Sequence, residues 1–178
     1  MNRIHILVLA GALLSGVESH AAAVQEFPTN APARVELLDQ YNDSQVLAFP
    51  DTRVTLLALA DRGGSDQVAG WITALKTNFA GRVAILGLAN LSGVPGFLRD
   101  KVRKQFRGDD THPVMMDWSG NTCRQFGYTP GVANILVIDH RGRIRARLTG
   151  PASESGLLAA RAALAASLDD QPHPAKEK

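Results

Sequence analysis

Cysteine is nearly absent from this chain of 178 residues, which contains only Cys123. A lone cysteine excludes an intramolecular disulfide, so the fold must be held by its core alone. A surplus of one charge sign is also lacking: the formal net charge of +2 argues against a nucleic-acid partner and against strong adsorption to a membrane. The sequence has no cofactor fingerprint, catalytic serine elbow or spaced histidine motif, so we predict neither a cofactor nor a metal site.

Long hydrophobic runs are scarce as well. The apolar run at residues 6–14 is shorter than the roughly 20 residues that span a bilayer. It follows the basic Arg3 and precedes the small residues 21–23, which is the pattern of a cleavable signal peptide. We therefore predict a signal peptide at residues 1–23, export to the periplasm or beyond, and a mature chain without a transmembrane segment.

Two shorter apolar runs, at residues 54–60 and 83–88, are typical of strands buried on both faces. Ser65 is a suitable N-cap for a helix between them. The apolar residues of that helix recur at helical spacing: Val68, Trp71, Ile72, Leu75 and Phe79. A strand–helix–strand unit of this kind favours parallel pairing with a right-handed crossover.

The remaining segments complete one α/β domain at residues 34–168. An extended lead-in at 24–33 precedes it, and a polar, disordered tail at 169–178 follows it. In chain order we predict strands at 34–38 and 45–49, a basic helix at 97–106 with a solvated outer face, a strand at 114–118, a short helix at 122–126, a β-hairpin at 135–139 and 143–148, and a final helix capped by Ser153.

The end of the domain carries a recognisable pattern. A Phe-Gly-Tyr segment at residues 126–128 is followed by Ile-Leu-Val-Ile-Asp-His-Arg-Gly-Arg-Ile at 135–144. This stretch resembles thioredoxin-like and peroxiredoxin-like proteins, and residues 117–120 resemble the strand-end segment that precedes it in them. The resemblance covers residues 34–168. It implies a thioredoxin-like three-layer sandwich, with a central mixed β-sheet flanked by helices, similar to small periplasmic members of that superfamily that lack the active-site cysteines.

In that family, the loop after the first central strand carries a Cys-x-x-Cys pair or one peroxidatic cysteine, and a cis-proline precedes the hairpin strand. Here the loop at residues 62–65 reads Arg-Gly-Gly-Ser, without sulfur. Ala133 stands near the place of the cis-proline, and Pro130 lies three residues too early. Thiol–disulfide exchange through a dithiol is therefore excluded at this site.

Two groups of residues are candidate binding sites. The first is the loop formed by Arg62, Gly63, Gly64 and Ser65. Its glycines, its helix N-terminus and its cation suit a small anion or a peptide carboxylate, although the same sequence also suits a plain tight turn. The second is a row of arginines that share one face of a strand and would dock an acidic partner or anionic lipid headgroups, or protect a sheet edge: Arg143, Arg145 and Arg147.

These observations favour a monomeric, exported thioredoxin-fold protein that binds a protein or peptide partner in the cell envelope without dithiol chemistry. The alternative is a single-cysteine redox protein that acts through Cys123. A position in the first turn of a helix beside Arg124 would lower the pKa of its thiol. A face shared with Phe126 would instead bury the thiol, which is the arrangement we predict.

Overall fold

The computed structural model describes residues 27–79, 81–109 and 112–171. The predicted signal peptide lies outside these ranges, as do residues 24–26 of the lead-in and 172–178 of the tail. No helix within the described ranges combines the length and the apolar character needed to cross a bilayer.

The described chain contains seven strands and four α-helices. In order they are β1 (Arg34–Leu38), β2 (Ser44–Ala48), β3 (Val54–Ala60), α1 (Ser65–Phe79), β4 (Val83–Asn90), α2 (Arg99–Asp109), β5 (Val114–Asp117), α3 (Asn121–Gln125), β6 (Asn134–Ile138), β7 (Ile144–Thr149) and α4 (Glu154–Asp169). A 3-10 turn at Gly96–Leu98 leads into α2. Each predicted element is present, with boundaries that differ by at most three residues.

Five strands form a central mixed sheet in the order β5-β4-β3-β6-β7. β3 pairs in parallel with β4, as predicted, and β4 pairs in parallel with β5. β6 lies antiparallel to both β3 and β7, so the predicted hairpin is confirmed. β1 and β2 form a separate antiparallel pair.

The side chains of β3 divide between the two faces of the sheet and are buried on both. Leu56 and Ala58 pack with Trp71 of α1 and Leu164 of α4 on one face. Leu57 and Leu59 belong to a second cluster on the other face, with residues of β1, β2 and α3. The molecule is therefore a three-layer α/β sandwich, as the sequence predicts.

The helix caps differ in part from the prediction. The proposed cap of α4 is confirmed, because the Ser153 hydroxyl accepts the Gly156 N–H at 3.2 Å. The proposed cap of α1 is wrong. Ser65 is the first residue of that helix, and its hydroxyl donates to the Arg62 carbonyl at 3.1 Å instead of accepting a backbone N–H.

The C-terminal part of the described chain is more ordered than the sequence suggests. α4 includes Asp169, the first residue of the predicted tail. The Asp170 carboxylate accepts from Arg143 at 3.3 Å, and the Gln171 amide donates to the Thr52 carbonyl at 3.0 Å. These contacts connect the end of α4 to the hairpin turn and to the start of β3.

Gln40 connects the β1–β2 pair to the edge of the central sheet. This residue is fully buried. Its side-chain amide donates to the His112 carbonyl and accepts the Val114 N–H, both at 2.8 Å. The Gln40 carbonyl in turn accepts from Arg107 at 2.7 Å.

We expect Gln40→Ala to lower the free energy of unfolding by about 1–3 kcal/mol, because it leaves the backbone groups of His112 and Val114 without their partner. Gln105→Ala, at an exposed position of α2, is the matched control and should change stability by less than about 0.5 kcal/mol. Urea denaturation measures both. Equal effects of the two substitutions would contradict this role of Gln40.

Candidate functional site

The loop at residues 62–65 packs directly against the loop that precedes β6. A Cβ atom placed on Gly64 would overlap the carbonyl group of Val132 and lie 2.7 Å from the Ala133 nitrogen. On Gly63 it would lie 3.1 Å from the Gly131 Cα atom. The two loops therefore meet backbone to backbone, and only glycine fits at position 64 without a shift. We call this pair of loops, residues 61–65 and 129–133, the two-loop site.

Asp61 joins the two halves of this site. Its carboxylate accepts the N–H groups of Gly63 at 2.9 Å, Gly64 at 3.1 Å and Gly131 at 3.0 Å. Burial raises the pKa of Asp61, but the nearby Tyr128 hydroxyl and these N–H donors outweigh it, so the pKa lies below its ordinary value. Burial and the Asp61 carboxylate raise the pKa of Tyr128. Asp61 is therefore a charged acceptor that fixes the two loops.

Two further side chains fix the loop before β6. The buried amide of Asn134 accepts the Thr129 N–H at 2.8 Å and donates to the carbonyls of Thr129 and Val132. Gln67 of α1 accepts the Ala133 N–H at 3.1 Å. The sequence analysis identified neither residue, nor Asp61. The one available signal was the position of Asp61 immediately after a buried strand and before a Gly-Gly turn.

The predicted candidates at residues 62–65 all belong to the two-loop site. Gly64 is buried at the contact, whereas three of the residues are exposed: Arg62, Gly63 and Ser65. Gly131 is exposed on the opposing loop. Ala133, at the place of the family's cis-proline, is buried and follows a trans peptide bond. The exposed residues of the site are Arg62, Gly63, Ser65, Pro130 and Gly131, and none of them carries a thiol.

Cys123 lies elsewhere, inside the core on the opposite face of the sheet from α1 and α4. Its side chain is fully buried, as predicted. Its backbone N–H donates to the Asp117 carboxylate at 2.9 Å, and the Asn121 N–H donates to the Ser119 hydroxyl at 3.0 Å, so both side chains accept backbone groups at the start of α3. Burial raises the pKa of the Cys123 thiol, Asp117 raises it further, and Arg124 does not compensate.

The row of arginines makes contacts within the domain. Arg143 donates to the Asp139 carboxylate at 2.9 Å and pairs with Asp170, and Arg145 lies 3.5 Å from Asp139. Arg147 stacks over the Phe27 ring, with its guanidinium carbon 4.8 Å from the ring centre. Arg145 and Arg147 lie on β7, as predicted, whereas Arg143 lies at an isolated bridge just before it, and the three residues differ in their partners.

No family model matches the sequence, and no curated protein is similar enough to be a relative. Within the described residues, no three His, Cys, Asp or Glu side chains are grouped so as to hold a metal ion.

Several solved structures share the arrangement of strands and helices. A thiol:disulfide interchange protein of the thioredoxin family from Chlorobium tepidum matches 81% of this chain and 99% of its own, with 18% identity and a TM-score of 0.54. The chain has a thioredoxin-like fold. The exposed lipoprotein thioredoxin Etrx1 of Streptococcus pneumoniae matches 71% of this chain and 96% of its own, with 19% identity and a TM-score of 0.55. An uncharacterized conserved protein from Geobacillus kaustophilus matches 86% of this chain and 88% of its own, with 16% identity and a TM-score of 0.61.

The two-loop site of this thioredoxin-like domain leads to a prediction about Gly64. We expect Gly64→Ala to lower the free energy of unfolding by about 1–3 kcal/mol, because the new methyl group overlaps the backbone of the opposing loop. Gly93→Ala is the matched control, since a Cβ atom there meets nothing within 4 Å. Thermal denaturation of both variants would test this, and a neutral Gly64→Ala would mean that the loops separate easily.

A second prediction concerns the thiol. Cys123 should react slowly with a thiol reagent in the native protein and rapidly after denaturation, because the thiol is buried and protonated. The matched control combines Cys123→Ser with Gln125→Cys, which moves the thiol to an exposed position of the same short helix. That variant should react rapidly when folded. Fast labelling of native Cys123 would contradict the burial seen in the structure.

Proposed function

We propose that this thioredoxin-fold protein acts in the cell envelope by binding a protein or peptide partner without covalent or redox chemistry. The observation that carries this proposal is the composition of the two-loop site. The sequence resemblance implies that the family places its reactive cysteines in the first of these loops and its cis-proline in the second, where this chain has Arg-Gly-Gly-Ser and Ala133. A binding surface remains, and the reactive group does not.

The geometry of the site supports binding to an extended chain. Gly63 and Gly131 leave the backbone of both loops open to close approach by another backbone. Arg62 adds an exposed cation beside them. Asp61, Gln67 and Asn134 fix the two loops, so the surface is preorganised and loses little entropy when a ligand binds.

The proposed location rests on the predicted signal peptide at residues 1–23. The name of one structural neighbour, an exposed lipoprotein thioredoxin, agrees with a place outside the cytoplasm.

The alternative of a single-cysteine redox protein receives little support from the structure. A reactive thiol needs exposure and a lowered pKa. Cys123 is fully buried, and both burial and the Asp117 carboxylate raise the pKa of its thiol. A partner disulfide could reach this sulfur only if α3 moved away from the sheet.

We expect the exported protein to bind unfolded, thiol-blocked polypeptides, such as carboxymethylated insulin chains, with the same affinity before and after Cys123→Ser. Neither form should reduce insulin disulfides or consume peroxide above a buffer blank, because no thiolate is available. Isothermal titration and a standard turbidity assay measure the two properties.

Two results would overturn the proposal. Redox turnover that disappears on Cys123→Ser would establish the alternative function. Absence of binding by either form, at probe concentrations that a weak complex requires, would remove the binding function itself.

A further inference from the structure

A groove of about 470 Å³ runs along the outer edge of β7 and adjoins the two-loop site at Thr129. The chain segment before β1 forms one wall, β7 forms the other, and Thr129 lies at one end. Its lining residues are Phe27, Pro28, Thr29, Thr129, Ile144, Arg145, Ala146, Arg147 and Thr149.

Among the described residues, the outer edge of β7 is paired only at its beginning. The Ile144 N–H donates to the Thr29 carbonyl at 2.8 Å, and Asn30 forms a bridge with Arg143. Pro28 follows on the outer segment and has no N–H to continue the ladder. From Arg145 onwards, no described residue forms a backbone hydrogen bond with this outer edge.

The pairing of β7 with β6 determines which backbone groups of β7 face the groove. The Gly150 N–H donates to the Ala133 carbonyl, so Gly150 faces β6. Inward and outward groups alternate along an antiparallel pair. The N–H and C=O groups of Arg147 and Thr149 therefore face outward, towards the groove, where an added strand would bond to them.

Among the described residues, Arg147 has no carboxylate partner. Its guanidinium lies over the Phe27 ring and donates to the carbonyls of Gly127 and Pro28. No described carboxylate lies within 4.0 Å of it, whereas Arg143, just before β7, has both Asp139 and Asp170. Burial lowers the pKa of Arg147.

We propose that this groove binds an extended acidic segment of a partner protein, which pairs with the outer edge of β7 and places a carboxylate on Arg147. The main-chain bonds would supply affinity, and the charge would select acidic side chains at alternate positions. This inference rests on the proposed binding function and specifies a binding surface and the chemistry of the partner. Arg145, which makes only a 3.5 Å contact with Asp139, lies on the groove as a second cation.

The test uses the labelled full-length protein and a blocked peptide of alternating Val and Glu, with a Val–Gln peptide of equal length for comparison. We expect the acidic peptide to shift the amide signals of Arg147 and Thr149 and to slow their hydrogen exchange. Arg147→Gln should weaken binding about tenfold, because a charge-assisted hydrogen bond is lost. Raising the salt concentration should also weaken binding.

Arg161→Gln is the matched control. Arg161 is an exposed arginine of α4 whose guanidinium makes one 3.4 Å bond to the Ala74 carbonyl, and its substitution should leave binding unchanged. If Arg147→Gln fails to fold, two other measurements test the proposal. Arg145→Gln should bind the acidic peptide more weakly, and the unmodified protein should bind it more weakly as the salt concentration rises.

Four outcomes would overturn the inference. Equal binding of the Val–Gln peptide would remove the role of charge. Signal changes confined to Gly63 and Gly131 would place the peptide at the two-loop site and leave the proposed function intact. Protected amides at Arg147 and Thr149 before any peptide is added would mean that residues preceding Phe27 occupy the groove. Failure of the acidic peptide, while carboxymethylated insulin chains still bind, would reject the groove alone.

Discussion

The backbone contact between Gly64 and the Val132–Ala133 peptide determines what the two-loop site can contain. No side chain fits at position 64 while this contact persists, and the N–H of Ala133 is held by Gln67. A proline at position 133 would lose that hydrogen bond. The site is therefore built around close packing of two main chains, which the Asp61 carboxylate joins, and the Ser65 and Arg62 side chains are exposed beside this contact.

Three aspartates at the ends of strands of the central sheet make the same kind of contact. Asp61 follows β3, Asp117 ends β5 and Asp139 follows β6, and each accepts several backbone N–H groups of the loop beyond it. In each case burial raises the carboxyl pKa and hydrogen bonds to the charged form outweigh it, so the pKa is lowered. These charges hold the loops in place. Burial and the neighbouring anionic Asp117 both raise the pKa of the Cys123 thiol.

Much of the fold could be predicted from local sequence patterns. The apolar runs of β3 and β4 and the helical spacing of α1 identify a parallel unit, and the hairpin pattern identifies β6 and β7. Contacts between distant residues could not be predicted in this way. Asp61 binds Gly131 from a position 70 residues earlier, and Arg143 pairs with Asp170, which extends the ordered chain beyond the predicted domain end. The arginine spacing correctly places Arg145 and Arg147 on one strand, but only the structure distinguishes Arg143, which precedes that strand and has two carboxylates, from Arg147, which has none among the described residues.

The pairing of Thr29 and Asn30 with the start of β7 has a consequence for the order of folding. Thr29 and Asn30 are synthesised before nearly all of the domain. Their partners Arg143 and Ile144 are synthesised near its end. Closing such a long loop has an entropic cost, which is offset only when the strands of the central sheet have paired. The segment that forms the outer wall of the β7 groove therefore becomes ordered late, after the edge that it partly covers already exists.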